Sequence, residues 1–132
     1  MAFVLQSEGT YWWPLSIETP SSTGTGKYRR ETFELEFRRL PQSRVEEIMA
    51  GEYELRCAMA QNKFPEIKKL IGVAREHAAE IVVGWRGILE KDGGEEIPFS
   101  ITALENLLQV PGMPGIILAT YGETIPKAKE KN

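Results

Sequence analysis

The chain has 132 residues, 42% of them hydrophobic and 27% charged, which is ample for one domain that buries roughly two thirds of its unfolded surface without disulfides or metal. That balance argues against wholesale disorder. A net charge of −3 and a pI near 5.3 provide none of the basic excess on which phosphate contacts depend, which argues against a nucleic-acid partner.

The first residues, Met1–Glu8, lack the basic start and apolar run of a signal peptide. Nowhere does an apolar stretch approach the roughly 20 residues that span a bilayer, so no membrane partner is expected. Tyr11, Trp13, Leu15 and Ile17 then alternate with Trp12, Pro14, Ser16 and Glu18, the pattern of a strand with one apolar face. Pro14 cannot donate to a ladder and marks the strand as an edge, or as broken there. Trp12 falls on the other face. It is expected either to pack beneath a helix or loop, or to stand exposed as a contact surface.

The run Pro20–Lys27 is polar and glycine-rich, which predicts a long mobile loop. Phe33, Leu35 and Phe37 alternate with Glu34, Glu36 and Arg38, a second strand with one apolar and one charged face. Residues 1–40 thus read as an antiparallel hairpin, which needs helices or another chain to cover it.

Residues 41–126 follow mostly helical spacing. Ser43 with Glu46 predicts a capping box and a short helix over Val45, Ile48 and Met49 that ends near Gly51. A second stretch carries Leu55, Cys57, Ala58 and Met59. Pro65 suits the first turn of a longer helix, whose stripe Ile67, Leu70, Ile71, Ala74, Ala78, Ile81, Val82 and Trp85 is the clearest amphipathic pattern in the chain. Trp85–Leu89 reads as its last turn or as a short strand. After the Asp92-Gly93-Gly94 turn, Ile97 and Phe99 return beside such a strand. Ser100 is the next N-cap, with Phe99 and Leu104 as a hydrophobic staple and Leu104, Leu107 and Leu108 as a buried stripe. Pro111-Gly112 ends that helix. Pro114 opens a final one, with Ile117, Leu118, Tyr121 and Ile125 inward, and residues 127–132 form a polar, frayed tail. The fold expected is α+β: one domain over 1–132, its N-terminal hairpin packed on four to five short helices.

Residues suited to catalysis are sparse. His77 is the lone histidine and Cys57 the lone cysteine, too thin a set for a metal or a nucleophile–base pair. One thiol makes no internal disulfide and fits a reducing compartment. Gly24-Thr25-Gly26-Lys27 fails the phosphate-loop pattern: Ser21 occupies the early glycine position, Tyr28 follows the lysine, and a strand rather than a helix comes next. No catalytic residue, cofactor or metal is therefore expected.

From Ala79 onward the order of short motifs carries more. It runs Gly84-Trp85, Asp92-Gly93, Pro98-Phe99-Ser100, Leu107-Leu108, Val110-Pro111-Gly112, Ala119-Thr120-Tyr121 and Lys131-Asn132, with Phe33–Pro41 upstream as an extended segment. This order resembles the tail assembly chaperones of long-tailed phages and prophages, over about half the chain. Tyr11–Lys27 has no counterpart in that pattern. The resemblance implies a non-enzymatic protein of the host bacterial cytoplasm that coats the tape measure protein, aids recruitment of tail tube protein and is absent from the finished virion. It is compatible with a homo-oligomer. Trp85, Asp92, Gly93, Phe99, Ser100, Leu107, Leu108 and Pro111 then build the scaffold, and Tyr11, Trp12 and Trp13 are the candidate partner contacts. The rival readings are a virion structural protein of the tail and, from another class, a small enzyme or nucleotide-binding regulator.

Overall fold

A computed structural model describes residues 2–5 and 9–127; the expected frayed tail from 128 on and the Lys131-Asn132 motif lie outside the described residues. Strand β1 (Thr10–Pro20) pairs antiparallel with β2 (Tyr28–Arg38) along its whole length, from Thr10 opposite Arg38 to Pro20 opposite Tyr28. The strands run farther than the sequence suggested and leave only Ser21–Lys27 between them. That connection is tied internally by Ser21 N–H to the Lys27 carbonyl (2.8 Å), Lys27 N–H to the Gly24 carbonyl (3.1 Å) and the Ser21 hydroxyl accepting from Gly24 N–H. The loop read over Pro20–Lys27 thus keeps its place, shorter by one residue, and is closed by its own hydrogen bonds.

The segment from Gln42 to Ala60 is one helix, α1. It starts at Pro41, whose φ of −68° is already set by its ring, and whose carbonyl takes the N–H groups of Arg44 and Val45. Ser43 therefore lies inside the helix, and the capping box does not form. The expected break at Gly51 does not occur either. Val45, Ile48, Glu52, Leu55 and Ala58 keep one buried stripe through it, and that packing outweighs the ~1 kcal/mol cost of an internal glycine. Gly51 also lets the next helix come close: a Cβ there would stand 3.2 Å from His77 Cε1. Buried Glu52 is paired with Arg56 at 2.7 Å. Asn62, at φ 53°, turns the chain out of α1.

Helix α2 (Phe64–Ile81) has Pro65 in its first turn, as the sequence predicts, but ends four residues before Trp85. The β-branched run Ile81-Val82-Val83 leads into strand β3 (Val82–Arg86), which lies antiparallel on the free side of β2, with Leu35 opposite Trp85 and Glu34 opposite Arg86. The region read as helical thus holds the third strand of a β1-β2-β3 sheet. The register slips between Glu36, opposite Gly84, and Phe37, opposite Val82, a bulge that leaves Val83 without a partner on β2. The small hairpin expected after it forms as a short, irregular one, with the Leu89–Glu96 bridge and bonds from Ile97 N–H to the Ile88 carbonyl (2.8 Å) and from Glu90 N–H to the Glu95 carbonyl (3.1 Å).

Helix α3 (Ile101–Leu107) begins as read, with the Ser100 hydroxyl accepting from Ala103 N–H at 3.0 Å. Helix α4 (Met113–Glu123) follows Gly112, whose φ of 81° suits glycine, and carries Pro114 in its first turn. The described residues thus form an α+β fold of a three-stranded antiparallel sheet and four helices.

Phe33, Leu35 and Phe37 of β2 share one core with Ile48, Ala78, Ile81, Ile117, Leu118 and Tyr121. Phe37 meets the rings of Tyr11 and Tyr121 edge-on, at 5.9 and 5.3 Å. The Tyr121 hydroxyl donates to the Arg38 carbonyl (3.0 Å), and burial pushes that phenol up to about 12. Trp85 lies edge-on to Phe99 at 5.1 Å and donates its indole N–H to the Ile97 carbonyl at 2.7 Å.

Arg44 of α1 clasps Glu80 of α2, with its Nε 2.9 Å from both carboxylate oxygens. That bond holds the Glu80 carboxyl below its usual range, against a smaller opposing effect of burial. A carboxyl with a depressed folded-state pKa adds stability above its unfolded pKa, and this is lost as pH falls through the lower folded value. Glu80→Gln is therefore expected to be less stable than the parent at neutral pH and to converge with it in acid. Urea unfolding at the two pH values checks this, and a gap that widens in acid contradicts it.

Candidate interaction surface

Strand β1 is a sheet edge. The bonds from Arg39 N–H to the Gly9 carbonyl (3.0 Å) and from Ser21 N–H to the Lys27 carbonyl (2.8 Å) show that odd-numbered residues turn their backbone groups toward β2. The register is unbroken between them, so even-numbered residues face outward, Pro14 among them. The ring therefore removes one donor from the middle of the open edge, a device that limits indiscriminate strand pairing.

The candidate contact residues sit here with different surroundings. Tyr11 is half-buried: its ring rests on Phe37 and its hydroxyl shares a 2.6 Å bond with the Thr124 hydroxyl. Burial raises its pKa, while the Thr124 bond and Arg39 act the other way. Trp13 lies on the inner face beside Leu35, and Trp12 on the outer face beside Glu36; each is 38% exposed. The Arg86 guanidinium stands 4.1 Å from the Trp12 ring centroid, a cation–π contact. Arg86 is in turn held by Glu34 at 2.8 Å, and that bond depresses the Glu34 pKa. Trp12, Arg86 and Glu34 thus form one ordered, solvent-facing group across all three strands. Arg86 was not singled out in the sequence. The only signal for it was the β-branched run at 81–83, which points to a strand ending there.

A second concave feature lies at the hairpin tip. A cleft of about 600 Å³ opens between the strand ends, the loop after β3 and the α3–α4 turn. Ile17, Phe33, Ile88, Val110 and Met113 give it apolar walls, and Arg29, Arg30, Lys91, Glu31 and Asp92 give it a charged rim. Arg29 makes a two-pronged pair with Asp92, one arm at 2.8 Å, and the guanidinium holds that carboxyl below its usual range. Asp92 is thus both a turn residue and a tether from the turn to the hairpin. Gly87, at φ 89°, forms part of the wall, and a Cβ there would meet the Phe33 backbone at 3.5 Å. Gly87→Ala is expected to cost ~1–2 kcal/mol from the left-handed backbone alone. Chemical denaturation measures this, and an unchanged midpoint contradicts it.

Comparison of the chain with protein-family models, with curated proteins and with solved structures gave no match.

The remaining motif residues are spread through the scaffold. Trp85, Leu104 and Leu108 are buried, Leu107 and Phe99 half-buried, and Asp92, Gly93, Ser100 and Pro111 exposed. The glycine-rich Gly24–Lys27 forms the hairpin tip, followed by a strand. Cys57 and His77 are half-buried on separate helices; the Nδ1 of His77 is enclosed without a hydrogen-bond partner. Among the described residues no cluster of three or more His, Cys, Asp or Glu side chains is placed to hold a metal, and no helix is long and apolar enough to cross a membrane.

Proposed function

We propose that this chain is a non-enzymatic, protein-binding chaperone of phage tail assembly, with the tape measure protein as client and tail tube protein as a second partner. The client is the one implied by the resemblance of the motif order from Gly84 to Tyr121 to tail assembly chaperones. The observation that carries the binding role is Trp12: a large aromatic held on the solvent side of an edge strand by Arg86 and Glu34. Aromatic and arginine side chains dominate the energetics of protein interfaces, and here both are already ordered before any partner arrives. The protein would act in the host cytoplasm, on a long client bound through many weak, repeated contacts. Co-expression with a tape measure fragment tests the proposal: the fragment should stay in solution and co-purify, and an unbound, aggregating fragment refutes it.

The length of the open edge of β1 favours one further reading, a tail structural protein whose hairpins pair permanently between neighbours. Detection of the chain in mature virions by mass spectrometry would support that reading over the chaperone.

A further inference from the structure

Phe3, Val4 and Leu5 are 88%, 78% and 88% exposed. They join the fold through the Thr10 end of β1, which lies at the open end of the hairpin, opposite Arg38. The apolar cleft lies at the other end, near the turn, where Ile17 and Thr19 form one side of it. Each feature lacks what the other has: three consecutive bare apolar side chains, and a vacant apolar groove with a charged rim.

Within one chain the two do not meet. At about 3.3 Å per strand residue, Ile17 lies ~23 Å from Thr10 along β1. The arm from Thr10 back to Phe3 spans at most ~25 Å when fully extended. It would have to double back completely for Phe3 merely to draw level with Ile17, and Val4 and Leu5 would fall short. Between two chains the geometry is easy. If two β1 edges approach antiparallel about a two-fold axis near Leu15, Thr10 of each chain stands beside Pro20 of the other. Each arm then begins next to the other chain's cleft. The same register sets Trp13 of one chain beside Ile17 of the other, which covers the exposed inner-face indole. Pro14 leaves the edge-to-edge ladder incomplete, so edge pairing alone is weak, and the arms supply the apolar burial that closes the pair.

We propose that this protein is a two-fold dimer in which the Phe3–Leu5 arm of each subunit occupies the other subunit's cleft between the hairpin tip and Val110. This does not depend on the identity of any client, and Trp12 on the outer face stays free.

Light scattering on the full chain should give twice the 14.9 kDa chain mass. Leu5→Asp and Val110→Asp should each shift the protein to monomer. Both positions are exposed, so an unchanged melting transition at low concentration keeps a loss of dimer distinct from a loss of fold. In a Cys57→Ala background, a Leu5→Cys chain mixed with a Val110→Cys chain should form a disulfide-linked heterodimer on mild oxidation. A monomeric parent at every accessible concentration overturns the proposal. So does a dimer that survives both aspartate substitutions, or a chain carrying both cysteines that closes its disulfide internally.

Discussion

Phe37→Ala is expected to cost ~3–5 kcal/mol, the range for truncating a fully enclosed aromatic, and so to remove a large part of the ~5–15 kcal/mol that holds a domain together. Three features place this substitution at the top of the range. Phe37 is completely buried and sits where β2 slips register against β3, opposite Val82. Its ring bridges Tyr11 on the edge strand and Tyr121 on α4, so the cavity would open between sheet and helix rather than within one element. Both tyrosines are anchored by hydrogen bonds, to Thr124 and to the Arg38 carbonyl, and cannot easily swing in to fill the void. Urea denaturation gives the loss directly, and a loss under about 1.5 kcal/mol, the scale of a volume-conserving swap, would show that the site collapses freely.

The contrast between Phe37 and its neighbours shows what could be read from the chain alone. Phe33, Leu35 and Phe37 announce β2 because strict alternation has no helical interpretation. Val82 and Trp85 continue the three- and four-residue steps of α2, whereas on a regular strand residues three apart point to opposite faces; only the register slip beside Val83 lets both turn inward in β3. What decides is the unpaired edge of β2, which offers backbone partners to Val82–Arg86 and is invisible in a local window. Gly51 misleads for a related reason. Its local cost is real, but the stripe from Val45 to Ala58 is held by α2 across it. The cap before α1 is an effect of one ring: Pro41 sets the entry, and Ser43 comes too late. The aromatic trio was legible as alternation, whereas the partner of Trp12 was not, because Arg86 reaches it only once β3 is in the sheet. The cleft was hidden altogether. Its walls come from three segments far apart in sequence, each of which reads locally as an ordinary loop or strand end.

Trp12→Thr is the substitution expected to act most strongly on client binding. Threonine keeps the strand preference at position 12, and the indole makes its contacts on the outer face, away from the core formed by Leu15, Leu35 and Phe37. The fold should therefore melt within a few degrees of the parent. A tryptophan at the centre of an interface contributes ~2 kcal/mol or more, so affinity for a tape measure fragment should fall ~30-fold or more. Arg86 provides the internal control. Its guanidinium lies over the Trp12 ring and is tied to Glu34; once the ring is gone it stays charged and exposed. Arg86→Gln in the Trp12→Thr background should then cost less than Arg86→Gln alone, because the two side chains act as one contact group. Titration calorimetry on the four proteins measures that coupling. Additive losses would mean that Trp12 and Arg86 touch the client separately. An unchanged affinity for Trp12→Thr would remove the outer face of the hairpin from the client surface.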